Sequence, residues 1–164
     1  MKKVFLSLVT LALTAAACSP FAPPTAGSEA PGIELFDLNN QAVRLSDFLG
    51  RPVVINFWGT QCPYCLDEMS ALEAAFREES AQTDGAAFLA VNVQDTAAGA
   101  RNFMNSNGYT LPVLMDAGSK AAQAYNVSAI PVTFFIDRTG IIRYVKLGAF
   151  LSVNEVSAAL NTIR

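Results

Sequence analysis

Two cysteines separated by two residues, Cys62-Pro63-Tyr64-Cys65, stand directly after the apolar run Val53-Val54-Ile55-Asn56-Phe57-Trp58 and directly before a stretch of helical periodicity. That placement reads as a dithiol/disulfide redox centre. The pair can close a small disulfide while the first sulfur, at the helix start, stays open to a partner. Unpaired N–H groups and the dipole at a helix N-terminus favour the thiolate, so a lowered pKa is expected of the first cysteine. The other readings are two buried structural cysteines or half of a zinc site. A structural zinc site takes four Cys or His ligands, whereas this chain has three cysteines and no histidine. No metal and no cofactor are therefore expected.

The third cysteine, Cys18, bears on compartment. Lys2-Lys3, an apolar run from Val4 to Leu13 and then Ala15-Ala16-Ala17-Cys18 read as a signal peptide over residues 1–17, too short and too soon followed by polar residues and prolines for a membrane span. Cleavage after Ala17 leaves Cys18 as the N-terminus. Small residues leading up to a cysteine also resemble a bacterial lipobox, although Ala15 stands where leucine is usual. Cys18 is accordingly expected to be lipidated, which leaves 62 and 65 as the free sulfur chemistry; a plain secreted chain is the alternative. Residues 18–32, with Pro20, Pro23, Pro24 and Pro31 among Ala, Ser, Thr and Gly, are expected to form an extended, solvated tether. The expected location is extracytoplasmic, on a bacterial membrane.

Residues 33–164 are long enough for one domain with its own core, expected to be monomeric. Without Lys2 and Lys3, 11 basic residues become 9 against 14 acidic ones, a net charge of −5. Nothing basic is clustered, so nucleic acid is not an expected partner.

Strand and helix patterns alternate along this domain. Ile33 to Leu38 and Ala42 to Leu45, joined through Asn39-Asn40, predict an N-terminal hairpin. Val53 to Trp58 is nearly all apolar, as in a strand buried on both faces. Leu66, Met69, Leu72 and Phe76 recur at helical spacing, with Glu73 and Arg77 placed to pair four residues apart. Ala86 to Val93 predicts the next strand. Asp95 or Thr96 is placed to cap a helix that runs to about Asn107 and ends at Gly108. A short helix near Ser119 to Tyr125 precedes strands at Val132 to Asp137 and Ile141 to Leu147. Ser152 with Glu155 has the form of a capping box for a last helix carrying Val153, Val156, Leu160 and Ile163. The pattern implies an α/β domain with a central mixed sheet flanked by helices.

Several stretches in order carry a family resemblance. They are Leu45-Ser46-Asp47-Phe48-Leu49-Gly50-Arg51-Pro52 running into Val53 through Thr60, the cysteine pair, Glu68-Met69, Leu111 through Asp116, and Val127 through Asp137. Together they cover nearly all of residues 33–164, and the domain resembles the TlpA/ResA-like members of the thioredoxin superfamily. The resemblance implies a thioredoxin-like fold with an N-terminal hairpin extension. It makes Cys62 the nucleophile and Cys65 the resolving thiol. Pro131 resembles the family's cis-proline opposite the disulfide, and Ile130 before it would then pair its backbone with a substrate strand; a plain strand-start proline is the alternative.

Asn56 departs from thioredoxin itself, whose buried acid at this strand position handles protons for the resolving thiol; an amide cannot titrate. Glu68, three residues after Cys65, matches the glutamate implicated in tuning the thiols in the TlpA/ResA-like group, and a solvated helix carboxylate beside Asp67 is the other reading. Trp58 matches the aromatic beside the active site, with packing and surface shape as its role, and Pro63 and Tyr64 complete the expected substrate face. Gln61, Tyr64 and Ser70 replace residues frequent in the family. The Pro-Tyr dipeptide is the one glutaredoxins use, so a potential less reducing than thioredoxin is expected.

The resemblance implies a thiol:disulfide oxidoreductase acting on protein disulfides, as a reductase, with apocytochrome c as an example of a partner and a membrane thiol as electron donor. A peroxiredoxin-like peroxidase would want threonine three residues before the reactive cysteine, where Gly59 stands. A copper-binding assembly factor would want a wider cysteine spacing and a histidine.

Overall fold

The computed structural model describes residues 23–164; the signal-peptide, lipidation and early tether expectations on residues 1–22, Cys18 among them, lie outside the described residues. The hairpin is present as β1 (Glu34–Asp37) and β2 (Ala42–Arg44), followed by a short 3-10 turn at Leu45–Phe48. Then come β3 (Val53–Trp58), α1 (Pro63–Ser80), β4 (Ala87–Val93), α2 (Ala97–Asn107), β5 (Val113–Asp116) and α3 (Lys120–Ala124). The chain ends with β6 (Val132–Ile136), β7 (Ile142–Leu147) and α4 (Val153–Leu160). Among the described residues, seven strands form one mixed sheet in the order β2-β1-β5-β4-β3-β6-β7. Strands β3, β4 and β5 run parallel, while β6 pairs antiparallel with β3 and β1 antiparallel with β5. The hairpin is thus a continuation of the main sheet, joined through β5.

Alternation along β3 divides the core into two layers, because successive strand residues point to opposite faces. Val54 and Trp58 pack with Met69, Leu72 and Ala75 of α1 and with Val156 and Leu160 of α4. Val53, Ile55 and Phe57 pack instead with Ala121, Ala122 and Tyr125 around α3. Asn56 therefore faces α1. Its register partner across the β3/β6 pair is Thr133, a pairing that matters at the site.

Helix α1 carries three glutamates that are buried, Glu68, Glu73 and Glu79. A buried carboxylate is tolerable only when its oxygens accept hydrogen bonds, and each of these accepts a backbone N–H from a different connection. Glu79 accepts from Ala86 at 2.8 Å, tying the end of α1 to the start of β4. Glu73 accepts from the N–H groups of Thr110 and Leu111 at 2.8 and 2.9 Å, as well as from the Thr110 hydroxyl and Arg77. Glu68 accepts from Phe150 ahead of α4. The helix is positioned by polar contacts along its length as well as by its apolar face.

Two expectations change. Residues 25–31, expected in a solvated tether, lie along the edge strand β7 and the turn before it: Gly27 N–H donates to Ile142 O at 2.7 Å, Ile142 N–H to Ser28 O at 2.9 Å and Ala30 N–H to Gly140 O at 2.9 Å. The Tyr125 hydroxyl donates to Pro31 O at 2.9 Å. Small residues bring little to bury, but their backbone can pair with an open sheet edge, so the folded unit starts before residue 33. In the final helix Ser152 accepts from Glu155 N–H as a capping box requires, whereas the Glu155 carboxylate reaches the N–H of Leu151 rather than that of Ser152. Of the two candidate caps Asp95 and Thr96, Thr96 starts helix α2, which ends at Gly108 in the left-handed conformation, φ 67°, where its sequence predicts.

Glu73→Ala strips the acceptor from two backbone N–H groups and is expected to lower stability by about 2 kcal/mol, read by urea unfolding. Burial alone would raise this carboxyl's pKa, but the bonds from Thr110, Arg77 and Leu111 outweigh it and hold the pKa below 4.5. Its contribution is therefore present above the ordinary carboxyl pKa and is lost as pH falls through the lower folded value. The difference between parent and variant should shrink in that acid range; a constant difference would contradict the assignment.

Candidate active site

Strand β3 delivers the chain to the site and Gly59 to Gln61 turn it into α1. Cys62 is the N-cap of that helix, in an extended conformation, and its Sγ accepts the N–H of Cys65 at 3.1 Å. Pro63 follows at the first helical position, where its missing N–H costs nothing and its fixed φ suits the helix. The two sulfurs are disulfide-bonded, with Cα atoms 5.2 Å apart. The pair is asymmetric. Cys62 is half-buried and reachable, while Cys65, one turn into the helix, is fully buried.

The loop before β6 faces the disulfide. Ile130–Pro131 is a cis peptide bond, and the Ile130 carbonyl oxygen lies 3.6 Å from Cys62 Sγ. Pro131 is buried, Ile130 partly so, and Pro131 O accepts the N–H of Gly148 at 3.0 Å. Beside this loop opens a cavity of about 660 Å³, lined by Ile130, Pro131, Tyr125, Tyr144, Leu147 and the N-terminal Pro24 among others. Among the described residues, none that line it carries a charge. Tyr64 (71 % exposed) and Leu147 (75 % exposed) leave apolar surface uncovered.

Behind the disulfide lies a buried polar cluster. Glu68 is one helical turn from Cys65, a spacing that puts the two side chains on the same helix face. Asn56 Nδ2 donates to Glu68 Oε1 at 2.8 Å and to Thr133 Oγ1 at 2.9 Å, and Phe150 N–H donates to Glu68 Oε2 at 2.9 Å. Burial pushes the Glu68 pKa up, and the bonds from Phe150 and Asn56 and the charge of Lys146 offset only part of that rise, leaving it at about 7. Lys146 lies over the Phe150 ring, its Nζ 5.5 Å from the centroid. The solvated reading of Glu68 is excluded, and the exposed carboxylate is its neighbour Asp67.

Placed in the structure, Cys62, Cys65, Pro63, Tyr64, Ile130 and Pro131 gather at one end of the sheet, with Glu68 beneath them. Trp58 does not join that surface. It is wholly buried, its ring packing on Phe103 at 5.4 Å, so of its two expected roles it serves packing and presents nothing to a partner. The residues that the sequence did not mark are Thr133, Lys146 and the Phe150 N–H. Thr133 was within reach, since the strand register sets it opposite Asn56. The Phe150 contact is a backbone group 82 residues away and leaves no trace in residue type.

The model of the AhpC/TSA family matches residues 26–145. The chain belongs to that family. It is 37% identical over 122 residues to thiol-disulfide oxidoreductase ResA of Bacillus subtilis (strain 168), covering 74% of this chain and 67% of that protein. To ResA of Geobacillus kaustophilus (strain HTA426) it is 34% identical over 138 residues, 84% of this chain and 78% of the other. Among solved structures, a secreted thiol-disulfide isomerase from Corynebacterium glutamicum superposes with a TM-score of 0.73 at 28% identity, covering 81% of this chain and 84% of that one. A thioredoxin family protein from Chlorobium tepidum TLS agrees in fold, TM-score 0.73 at 22% identity over 86% of this chain and 97% of its own. This AhpC/TSA-family chain is thus a thiol-disulfide oxidoreductase of the ResA type, with a thioredoxin-like fold.

The raised Glu68 pKa couples stability to pH. Between 4.5 and about 7 the folded chain keeps a proton that the unfolded chain has released. Stability therefore falls as pH rises through that window, by about 3 kcal/mol at 1.36 kcal/mol per pKa unit, and levels off above it. Glu68→Gln cannot titrate and should abolish that slope in the oxidised protein, as read from thermal melts at pH 5 to 8. An unchanged slope would assign the titration to another group.

Proposed function

We propose that this thiol-disulfide oxidoreductase works as a reductase of protein disulfides, held as a monomer on the outer side of a bacterial membrane by a lipid on Cys18. The observation that carries the reading is the asymmetry of the pair, an accessible Cys62 over a buried Cys65 with a carboxyl of pKa about 7 on the same helix face. In the reduced protein the Cys62 thiolate attacks one sulfur of a substrate disulfide. A bond forms between Cys62 and that sulfur, and the other substrate sulfur leaves as a thiolate and takes a proton. Cys65 then gives its proton to the Glu68 carboxylate and attacks Cys62 Sγ, breaking the mixed disulfide and releasing the second substrate thiolate. Two electrons pass to the substrate, and the Cys62–Cys65 disulfide is left.

The rest of the site suits a polypeptide substrate. The Ile130 backbone beside Cys62 offers edge pairing to an extended chain, and the uncharged cavity and exposed Tyr64 accept apolar residues around the substrate cysteine. Apocytochrome c, which the TlpA/ResA resemblance implies, is the substrate we favour, with a membrane thiol protein restoring the dithiol. The named function of the ResA relatives supports the chemistry; the signal-like start of the chain, ending in Ala-Ala-Ala-Cys18, supports the location.

Reduced Cys65→Ser keeps the attacking thiol and lacks the resolving one, so it should accumulate mixed disulfides with proteins that carry disulfides, seen as species sensitive to reductant on a gel. Cys62→Ser should accumulate none and lose all disulfide exchange. Equal trapping by both variants would overturn the roles of the two cysteines, and trapping by neither would overturn action on protein disulfides.

A further inference from the structure

We infer that Asp95 is a positioning residue for Cys62, clamping the turn that presents the attacking sulfur. This rests on the reading of Cys62 as nucleophile. The turn from β3 into α1 is three residues long, Gly59-Thr60-Gln61, and its middle residue is held on both its backbone and its side chain. Thr60 N–H donates to Asp95 Oδ2 at 2.7 Å and the Thr60 hydroxyl donates to Asp95 Oδ1 at 2.7 Å. The carboxylate is held in turn, for Asn92 Nδ2, on a side chain with no exposed surface, donates to Asp95 Oδ2 at 2.8 Å.

Three further features serve the same end. Gln94 takes the left-handed conformation, φ 71°, which side chains other than glycine adopt at a cost; this turn separates the end of β4 from α2 and delivers Asp95 toward Thr60. A Cβ built on Gly59 would lie 3.2 Å from Val93 O and 3.3 Å from Ile130 Cδ1, so the turn is packed between the end of β4 and the loop facing the disulfide. The far side of the turn is the Cys62 N–H, which donates to Gly59 O at 3.2 Å. The clamp thus links β4 through Asp95 and Thr60 to the N-cap residue itself. Asp95 touches neither sulfur. It acts by holding the turn, and the Cys62 Sγ with it, in register with the helix N–H groups and the Ile130 edge.

The test separates holding from charge. Asp95→Asn can keep the geometry, because its Oδ1 can accept from Thr60 N–H and Asn92 Nδ2 while its amide donates to a rotated Thr60 hydroxyl. Asp95→Ala can make none of these bonds. The readout is the rate at which iodoacetamide alkylates the reduced full chain at fixed pH, with the labelled residue located by peptide mass mapping. Asp95→Ala should slow labelling at Cys62 by about fivefold or more, the scale of one or two lost hydrogen bonds, and Asp95→Asn should stay within about twofold of the parent. An Asn variant as slow as the Ala variant, or an Ala variant as fast as the parent, would overturn the clamp. Should Asp95→Ala fail to fold, Thr60→Val removes only the hydroxyl arm and is expected to slow labelling by at least about twofold, and no slowing would likewise overturn it. Labelling of the parent at Cys65 instead would overturn the nucleophile assignment and the clamp's role with it, whereas Cys62 labelling indifferent to Asp95 would overturn the clamp alone.

Discussion

Hydrogen bonding of three buried carboxylates on one helix is the constraint on which the arrangement of this domain depends. Glu68, Glu73 and Glu79 each accept a backbone N–H from a separate connection, ahead of α4, ahead of β5 and ahead of β4. Apolar packing alone is non-directional and tolerates sliding, whereas these bonds fix the height and rotation of α1 against the sheet. Since Cys62 is the N-cap of that helix and Cys65 lies one turn in, the same bonds set where the disulfide sits relative to the Ile130 edge.

The three carboxylates are not equivalent. Glu73 gathers enough donors to be held below the ordinary carboxyl range, while Glu68, more deeply buried and with fewer donors, ends near neutrality. The difference follows from how far hydrogen bonding offsets desolvation at each place. It also divides the helix, with Glu73 held as a charged structural anchor and Glu68 left near neutrality, which is what the proposed proton transfer from Cys65 requires. Asn56, at the strand position where thioredoxin has its acid, here orients the carboxyl that titrates rather than titrating itself.

Much of this was legible in the residues. The cysteine spacing, the β3 run and the caps of α2 express local chemistry, and the structure has each where the pattern put it; the cis bond at Ile130–Pro131 was implied by the family resemblance, the residues alone leaving a plain strand-start proline open. What was illegible depends on long-range partners. A glutamate on an amphipathic helix looks the same whether water or a distant N–H satisfies it, so the burial of Glu68 could be argued only as one of two readings. Strand β5 is four residues long, too short for its period to show. The docking of residues 25–31 on β7 is made by backbone, which composition does not report. Trp58 misled for the opposite reason, since a large aromatic next to a reactive turn suits a surface or a core, and here it fills the core.

Glu68, one helical turn from Cys65, ionises near neutral pH because it is buried and only partly compensated by its hydrogen bonds. A ¹³C NMR titration of the Glu68 carboxyl in the oxidised full chain, assigned by its loss in Glu68→Gln, reads that directly. The expected midpoint is about 7. A midpoint at the ordinary carboxyl value of 4.5 would mean that Glu68 is fully charged at neutral pH, and the proposed proton transfer from Cys65 to it would be contradicted.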